Sequence, residues 1–433
     1  MTAEDRPGAV VVLGMFVAAR YPDLLPAAAA RGLRVLGVDE DSPFARHYDD
    51  ARRADPGHPM APIAELAWHE GTDRAGVIDT VSGWAAAYDV RGVLVFGEGF
   101  VETGAVLADL LGLPGPGLRA GRVCRNKLLQ RRYLAEWSPR SRLLRTADAA
   151  DWTTFPAVLK PLDGQASAGV SRVGSAGELA AALARPGFAA PMLLEELVPG
   201  PEVSVETLVH DGRVRFTGIT GKLTNEDSGR FFVELGHTVP DVALTAAQQA
   251  AVRAVNEQVL RRLDFRDGVA HAEYRVTPEG VVRLMEIAAR PAGDSIITLY
   301  GLATGEPMEP AMLAVALGEG VSYPEPVRWA RQKYVPHTPG VLTGMRADGL
   351  GVPVTWLRER WFFPAVRPAP DAGVRMIMMG RAKGDELGEI RSSADRSATY
   401  LIDAPTPAAL DELTRSCDAA IRVETDPGER ADG

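Results

Sequence analysis

Apolar and polar positions along this chain fall into short blocks whose period changes from one segment to the next. Residues 9–13 are an apolar run of β-formers, residues 21–31 carry apolar positions at helical spacing, and residues 34–38 form a second apolar run ending at Asp39. That alternation predicts a βαβ unit. Residues 74–112 repeat the theme as helix, strand and helix, and Gly112-Leu-Pro-Gly115 marks a boundary. Residues 192–206 predict a strand, a Pro-Gly turn and a second strand with two-residue alternation. A helix over residues 244–263, capped near Thr245, leads into two runs of β-formers at 269–276 and 281–287. The turn residues Thr277-Pro-Glu-Gly280 between them predict an antiparallel hairpin. Residues 295–302 and 308–317 predict helices, and Tyr323-Pro-Glu-Pro326 a linker. Residues 331–425 alternate short strands with turns and end in one helix over 408–419.

The hairpin carries the most informative chemistry. His271-Ala-Glu273 lies on its first strand, and Leu284-Met-Glu286-Ile-Ala-Ala-Arg290 on and beyond its second. On paired strands Glu273 and Glu286 can sit side by side, where like charges repel unless a cation lies between them. Two oxygen ligands that leave positions for phosphate and water suit Mg²⁺. Arg290, just past the second carboxylate, would meet the negative charge that remains. The plainer alternative is a pair of solvated hairpin carboxylates with a surface arginine.

Two lysines precede the hairpin. Lys127 lies in the basic amphipathic stretch Cys124-Arg-Asn-Lys127-Leu-Leu-Gln-Arg-Arg-Tyr-Leu134, which predicts one helix. Lys160 ends the apolar run Phe155-Pro-Ala-Val-Leu-Lys160, and Asp163-Gly164-Gln-Ala-Ser167-Ala-Gly169-Val-Ser-Arg-Val173 follows. Small residues let backbone N–H groups approach a phosphate, and a lysine adds a point charge. By itself the loop is better explained as an ordinary hairpin connection. It matches neither the Walker pattern nor the dinucleotide fingerprint, and near the N-terminus only Gly14 of the three glycines of that fingerprint is present.

Taken in order, Lys127, Lys160, the small-residue loop, Glu195 to Glu202, Glu273, Glu286 and Arg290 resemble the ATP-grasp superfamily over roughly residues 116–318. The resemblance implies an α/β protein, α+β in its core. It would comprise an N-terminal doubly wound α/β domain over 1–115, a small subdomain over 116–195 and a large one over 196–325. A β-rich C-terminal domain over 326–425 and a disordered tail over 426–433 would follow. It further implies that Lys127 and Lys160 contact the phosphates of ATP, under a cover that includes Gly164, Ser167 and Gly169. Glu195, Glu196 and Val198 would hold the adenine edge, and Glu202 the ribose. Glu273 and Glu286 would bind Mg²⁺, with Mn²⁺ as an alternative ion. Arg290, with Lys160, would act on the transferring phosphoryl group. One position departs from the pattern: the family often has Asn two residues after the second Glu, and this chain has Ala288.

What the resemblance implies chemically is the ligation of a carboxylate to an amine. A carboxylate is a poor electrophile, and phosphoryl transfer converts it to an acyl phosphate that an amine can attack. Val233-Glu-Leu-Gly-His237-Thr-Val-Pro240 resembles a segment of the branch that joins amino acids, which makes His237 a candidate substrate contact. Asp294 is a candidate for an amine or for capping the next helix, and Glu98 ends a strand where open α/β sheets hold ligands. Lys222 and Arg230 lie in a polar stretch expected to be a mobile loop. Competing readings are carboxylation or formyl transfer to a nucleotide precursor, which would call for further basic residues, and a nucleotide-binding regulator without turnover.

Composition narrows the partners. A net charge of -10 with no basic patch argues against nucleic acid or an anionic membrane surface, and no apolar run reaches the length of a membrane span. The polar, acidic start does not resemble a secretory leader. Cys124 and Cys417, far apart and without metal spacing, suit a reducing cytoplasm. Small-molecule substrates remain the expected partners, and a homodimer is the common assembly among relatives.

Overall fold

Ala9 to Leu13 are wholly buried, as expected for a strand covered on both faces of a parallel sheet. The computed structural model describes residues 6–70, 73–145, 151–164, 167–184, 191–226 and 231–427. In it, Gly8–Leu13 lies between Arg34–Glu40 and Asp89–Val95, all parallel, with Ile63–His69 outside Arg34–Glu40. The predicted βαβ order is present, together with two elements beyond it. The helix Pro43–Ala54 starts on Ser42, whose hydroxyl accepts from the Ala45 N–H. The strand Ile63–His69 is a half-exposed edge, so its sequence lacks the apolar run that betrays a buried strand. Gly14 has φ 83°, and a Cβ there would lie 2.3 Å from the Gly97 nitrogen. Its role is thus to let two strand ends touch.

The basic stretch 124–134 is not one helix. It breaks into Leu118–Cys124 and Lys127–Tyr133 because Asn126 adopts an extended conformation and its side chain accepts from the Leu129 N–H. The break puts Lys127 at a helix start. A four-stranded sheet follows, ordered Ser141–Leu144, Met192–Glu196, Ala157–Pro161, Ser171–Val173, with the helix Ala176–Leu183 beside it. Trp152, Leu159, Leu179 and Leu194 fill the space between them.

The third sheet has nine strands. From one edge these are Val282–Ala288, Gly268–Val276, Glu202–His210, Arg213–Thr224, Glu234–Val239, Trp329–Val335, Ala398–Ala404, Gly373–Met379 and Val354–Trp356. The expected boundary near residue 325 therefore lies within one continuous sheet: His237 pairs with Gln332, and four strands from beyond residue 326 extend the layer. The remainder of that segment forms a three-stranded sheet and the helix Pro407–Ala420. Residues 428–433, most of the expected tail, lie outside the described residues. The helix Ala246–Arg262 begins in a reciprocal Thr245/Gln248 capping box. Its Val252, Val259 and Leu260 pack on Val205, Ala272, Tyr274 and Leu284 of the sheet. Among the described residues no helix is long and apolar enough to cross a membrane.

Candidate functional site

Burying Val203, Val205, Ala272 and Tyr274 on one face of the nine-stranded sheet turns every second residue to the other face. That face carries Glu202, Ser204 and Glu206 on one strand, His271, Glu273 and Arg275 on the next, and Glu286 on the edge strand. Registers bring them together: Glu273 stands opposite both Glu286 and Ser204, and Arg275 opposite Glu202. The stretch expected to be a loop begins as strand, Arg213–Thr224, and buries Lys222 with 2% of its side chain exposed. The Lys222 ammonium lies 2.7 Å from Glu202, 2.8 Å from Glu273 and 3.2 Å from Glu234. Burial opposes its charge, but these carboxylates outweigh that and hold it well above the ordinary lysine range. In turn Lys222 and His271 hold Glu273 well below the carboxylate range despite its burial. Arg230 lies outside the described residues.

His271 was part of the hairpin motif but had no assigned role. Its Nδ1 lies 3.0 Å from Glu206 and its Nε2 3.5 Å from Glu273. Against the effect of burial, the two carboxylates raise its pKa to about 10, so at neutral pH it is an imidazolium. Arg275 donates to Glu202 over 2.9 Å and to the Val198 carbonyl over 3.1 Å, and it also pairs with Glu226. The Glu202 carboxylate, assigned in the sequence to a ribose, is thus held in this structure by Lys222 and Arg275.

The smaller sheet supplies the opposite wall. Lys160 lies 2.6 Å from Glu195, and Arg131 pairs with the same carboxylate while donating to the Met285 carbonyl over 2.5 Å. Glu195 is 2% exposed and both its oxygens are engaged within the smaller subdomain, while the Arg131 bond to Met285 reaches the large sheet. Glu196 accepts from the Arg140 N–H over 2.9 Å. Lys127 donates to Glu286 over 2.9 Å and to the Gly164 carbonyl over 3.3 Å. Ser167, at φ 56°, donates to the Phe232 carbonyl over 2.9 Å and so pins the loop against the large sheet. Gln165 and Ala166 of that loop lie outside the described residues.

Burial lowers the Lys160 pKa to about 8, with Glu195 opposing the shift and Arg131 and Lys127 adding to it. The ammonium is present below that pH and lost above it. The pH profile of kcat/KM for ATP, which reports the free enzyme, is expected to fall by up to about tenfold per pH unit above roughly pH 8. Lys160→Arg keeps its charge throughout and should abolish this limb; an unchanged profile would remove Lys160 from the phosphate site.

At the far end, Arg290 meets Glu98 over 2.5 Å, and Arg125 meets the other oxygen of Glu98 over 2.9 Å. His237 Nε2 lies 2.9 Å from Asp294, which Arg396 grips at 2.7 and 2.9 Å. Asp294 adopts φ 52° and is committed to these partners, so it does not cap the helix Ile296–Thr304, which has no side-chain cap. Despite burial, Arg396 and His237 hold the Asp294 carboxyl well below its usual range. His237 is 3% exposed, and its Nδ1 has no hydrogen-bond partner among the described residues.

All of these walls enclose one cavity of about 470 Å³. Among the described residues, every candidate singled out in the sequence lines it except Gly169, a loop residue with φ 73°. Arg131, Glu206, Arg396 and Arg20 were not foreseen as site residues. Glu206 was discoverable from the alternation that exposed Glu202; the three arginines carry no local signal.

The directly opposed Glu273 and Glu286 fit a divalent ion held partly by phosphate oxygens, since each now has a lysine where a cation is needed. Among the described residues no cluster of three or more His, Cys, Asp or Glu side chains is arranged to enclose a metal.

Residues 153–299 match the family described as ATP-grasp domain. The chain is 30% identical over 210 residues to the ATP-grasp enzyme fsqD of Aspergillus fumigatus, covering 43% of this chain and 35% of that protein. It thus spans about a third of that relative's length. It is 28% identical over 233 residues to a D-alanine–D-alanine ligase of Polaromonas naphthalenivorans, covering 48% of this chain and 70% of that protein. The crystal structure of an L-amino acid ligase from Bacillus licheniformis superposes with a TM-score of 0.77 at 20% identity, over 98% of this chain and 100% of that one. The chain therefore carries an ATP-grasp domain and has the ATP-grasp fold.

Proposed function

We propose that the protein is an ATP-dependent ligase that joins a carboxylate to an amine through an acyl phosphate. The observation that carries this reading is the convergence, in one cavity, of Lys127 and Lys160, the opposed Glu273 and Glu286, and Arg290 with Glu98. Phosphoryl transfer needs charge neutralisation and in-line positioning more than it needs acid–base groups.

Lys127 and Lys160 would each exchange a carboxylate partner for phosphate oxygens of ATP, below the loop pinned by Ser167. Glu273 and Glu286 would hold Mg²⁺, which supplies positive charge at the phosphates. A substrate carboxylate oxygen attacks the γ-phosphorus, the bond to the β-bridging oxygen breaks, and ADP leaves. Arg290 faces the charge that develops on the transferring group and then on the tetrahedral adduct. The amine adds to the acyl carbon, phosphate departs, and the amine nitrogen loses a proton. His237, oriented by Asp294, is placed to accept that proton. Buried, unpaired Cys124 and Cys417 support a reducing, cytoplasmic setting, and homodimerisation remains part of the reading.

Incubation with Mg-ATP and pooled amino acids tests it. ADP and phosphate should appear only with particular amino acids, with a product mass equal to their sum less water. Release of AMP and pyrophosphate, or turnover with bicarbonate or formate instead, would overturn the ligase reading.

A further inference from the structure

Seven lysine and arginine side chains line the cavity among the described residues, and the six already described each have a carboxylate partner. The seventh, Arg20, has none among the described residues; its guanidinium carbon lies 5.5 Å from the centre of the Phe363 ring. A ring face satisfies the charge of a guanidinium only in part and leaves its N–H donors available. A half-buried guanidinium in the wall of a cleft is therefore set up for an anion from outside.

Its place in the cavity is fixed by its neighbour. The Tyr21 hydroxyl donates to the Ala292 carbonyl over 2.6 Å, and the Tyr21 ring packs 5.0 Å from that of Phe96. Arg20 is thus tied to the end of the cavity where Arg290 and Asp294 lie. The lining there includes Val17, Phe96 and Ile296. On the proposed ligase reading, the carboxylate of the acid substrate is consumed, and the phosphates of ATP go to the two lysines. The one anion left without a partner is a carboxylate that the reaction does not touch.

We infer that Arg20 binds the unreacted carboxylate of the amine substrate, which makes that substrate an α-amino acid with an apolar side chain and not a simple amine. Val17, Phe96 and Ile296 form the surface that receives the side chain. This inference rests on the ligase reading, and the experiment separates the two.

Wild-type protein is first given Mg-ATP, pooled amino acids as acids, and hydroxylamine in place of the acceptor. Acyl hydroxamate with equimolar ADP upholds the ligase reading; its absence would sink that reading and this inference with it. Acceptor kinetics are then measured with L-leucine, L-methionine and L-phenylalanine and with their carboxamides, for wild type, R20A, R20Q and R20K. Removing a charged hydrogen-bond donor should raise the acceptor KM by roughly 10- to 100-fold in R20A and R20Q. R20K should fall between these variants and wild type, and the KM for ATP should hold steady. Wild type should discriminate against the carboxamides, and R20A should lose that discrimination. The inference fails if wild type uses carboxamides as well as acids, if no apolar amino acid serves as acceptor, or if R20A and R20Q raise the KM of the acid substrate instead. Should R20A melt below the assay temperature, R20K and R20Q carry the test.

Discussion

Arg290→Ala is expected to lower kcat by about 10³-fold while changing ATP affinity little. The guanidinium stands at the Glu98 end of the cavity, with 16% of its side chain exposed. A single positive group aimed at developing charge stabilises the transition state more than the bound substrates, so its loss falls on kcat. The fold should tolerate the change because Glu98 keeps Arg125 at 2.9 Å, so no buried carboxylate is left unpaired. Arg290→Lys keeps the charge but loses the planar fork, and should recover only part of the rate. Measuring kcat alongside ATP binding by calorimetry separates the two effects. A variant with near-normal kcat would take Arg290 out of the chemistry and leave it as a partner of Glu98.

Glu286→Gln should lower activity at ordinary Mg²⁺ by roughly 100-fold or more, since losing even an outer-shell group costs 10- to 100-fold in metal affinity. Gln preserves the shape of the side chain and can still accept from Lys127, so the hairpin itself should persist. What it loses is negative charge opposite Glu273, the feature a divalent ion requires. Activity should therefore return in part as Mg²⁺ is raised, with the midpoint of the metal titration displaced upward. A variant that keeps the wild-type metal dependence would show that the opposed carboxylates do not hold the ion.

The face that carries these groups was legible in advance to an unusual degree. Turn residues at 277–280 sit between two β-rich runs, and the structure closes that turn by a Gly280 N–H bond to the Thr277 carbonyl over 2.8 Å. The short turn fixes the register as far as Tyr274 opposite Leu284, and a bulge there, which skips Met285, then puts Glu273 opposite Glu286. The cap at Thr245 and the strand ending in Lys160 were equally local. Misjudged features failed for local reasons too: Asn126 is a strong cap inside a helical pattern, and Lys222 lies on a strand whose polar end resembles a loop.

By itself, then, the sequence determined the buried strands near the N-terminus, the hairpin over 269–287 and the alternating strand after residue 200, and through periodicity and turn chemistry, which act between near neighbours, which of their residues face away from the core. That the carboxylates and lysines form one set came from their resemblance to the ATP-grasp pattern. Only the tertiary structure decided who pairs with whom. Glu98 and Arg290 are 192 residues apart, Asp294 and Arg396 are 102 apart, and Arg131 reaches Glu195 from 64 residues away. A chain that brings such distant charges into one low-dielectric cavity makes partners and pKa shifts that no local spacing encodes. The same closure gives six of the lining lysines and arginines a carboxylate and leaves Arg20, among the described residues, without one.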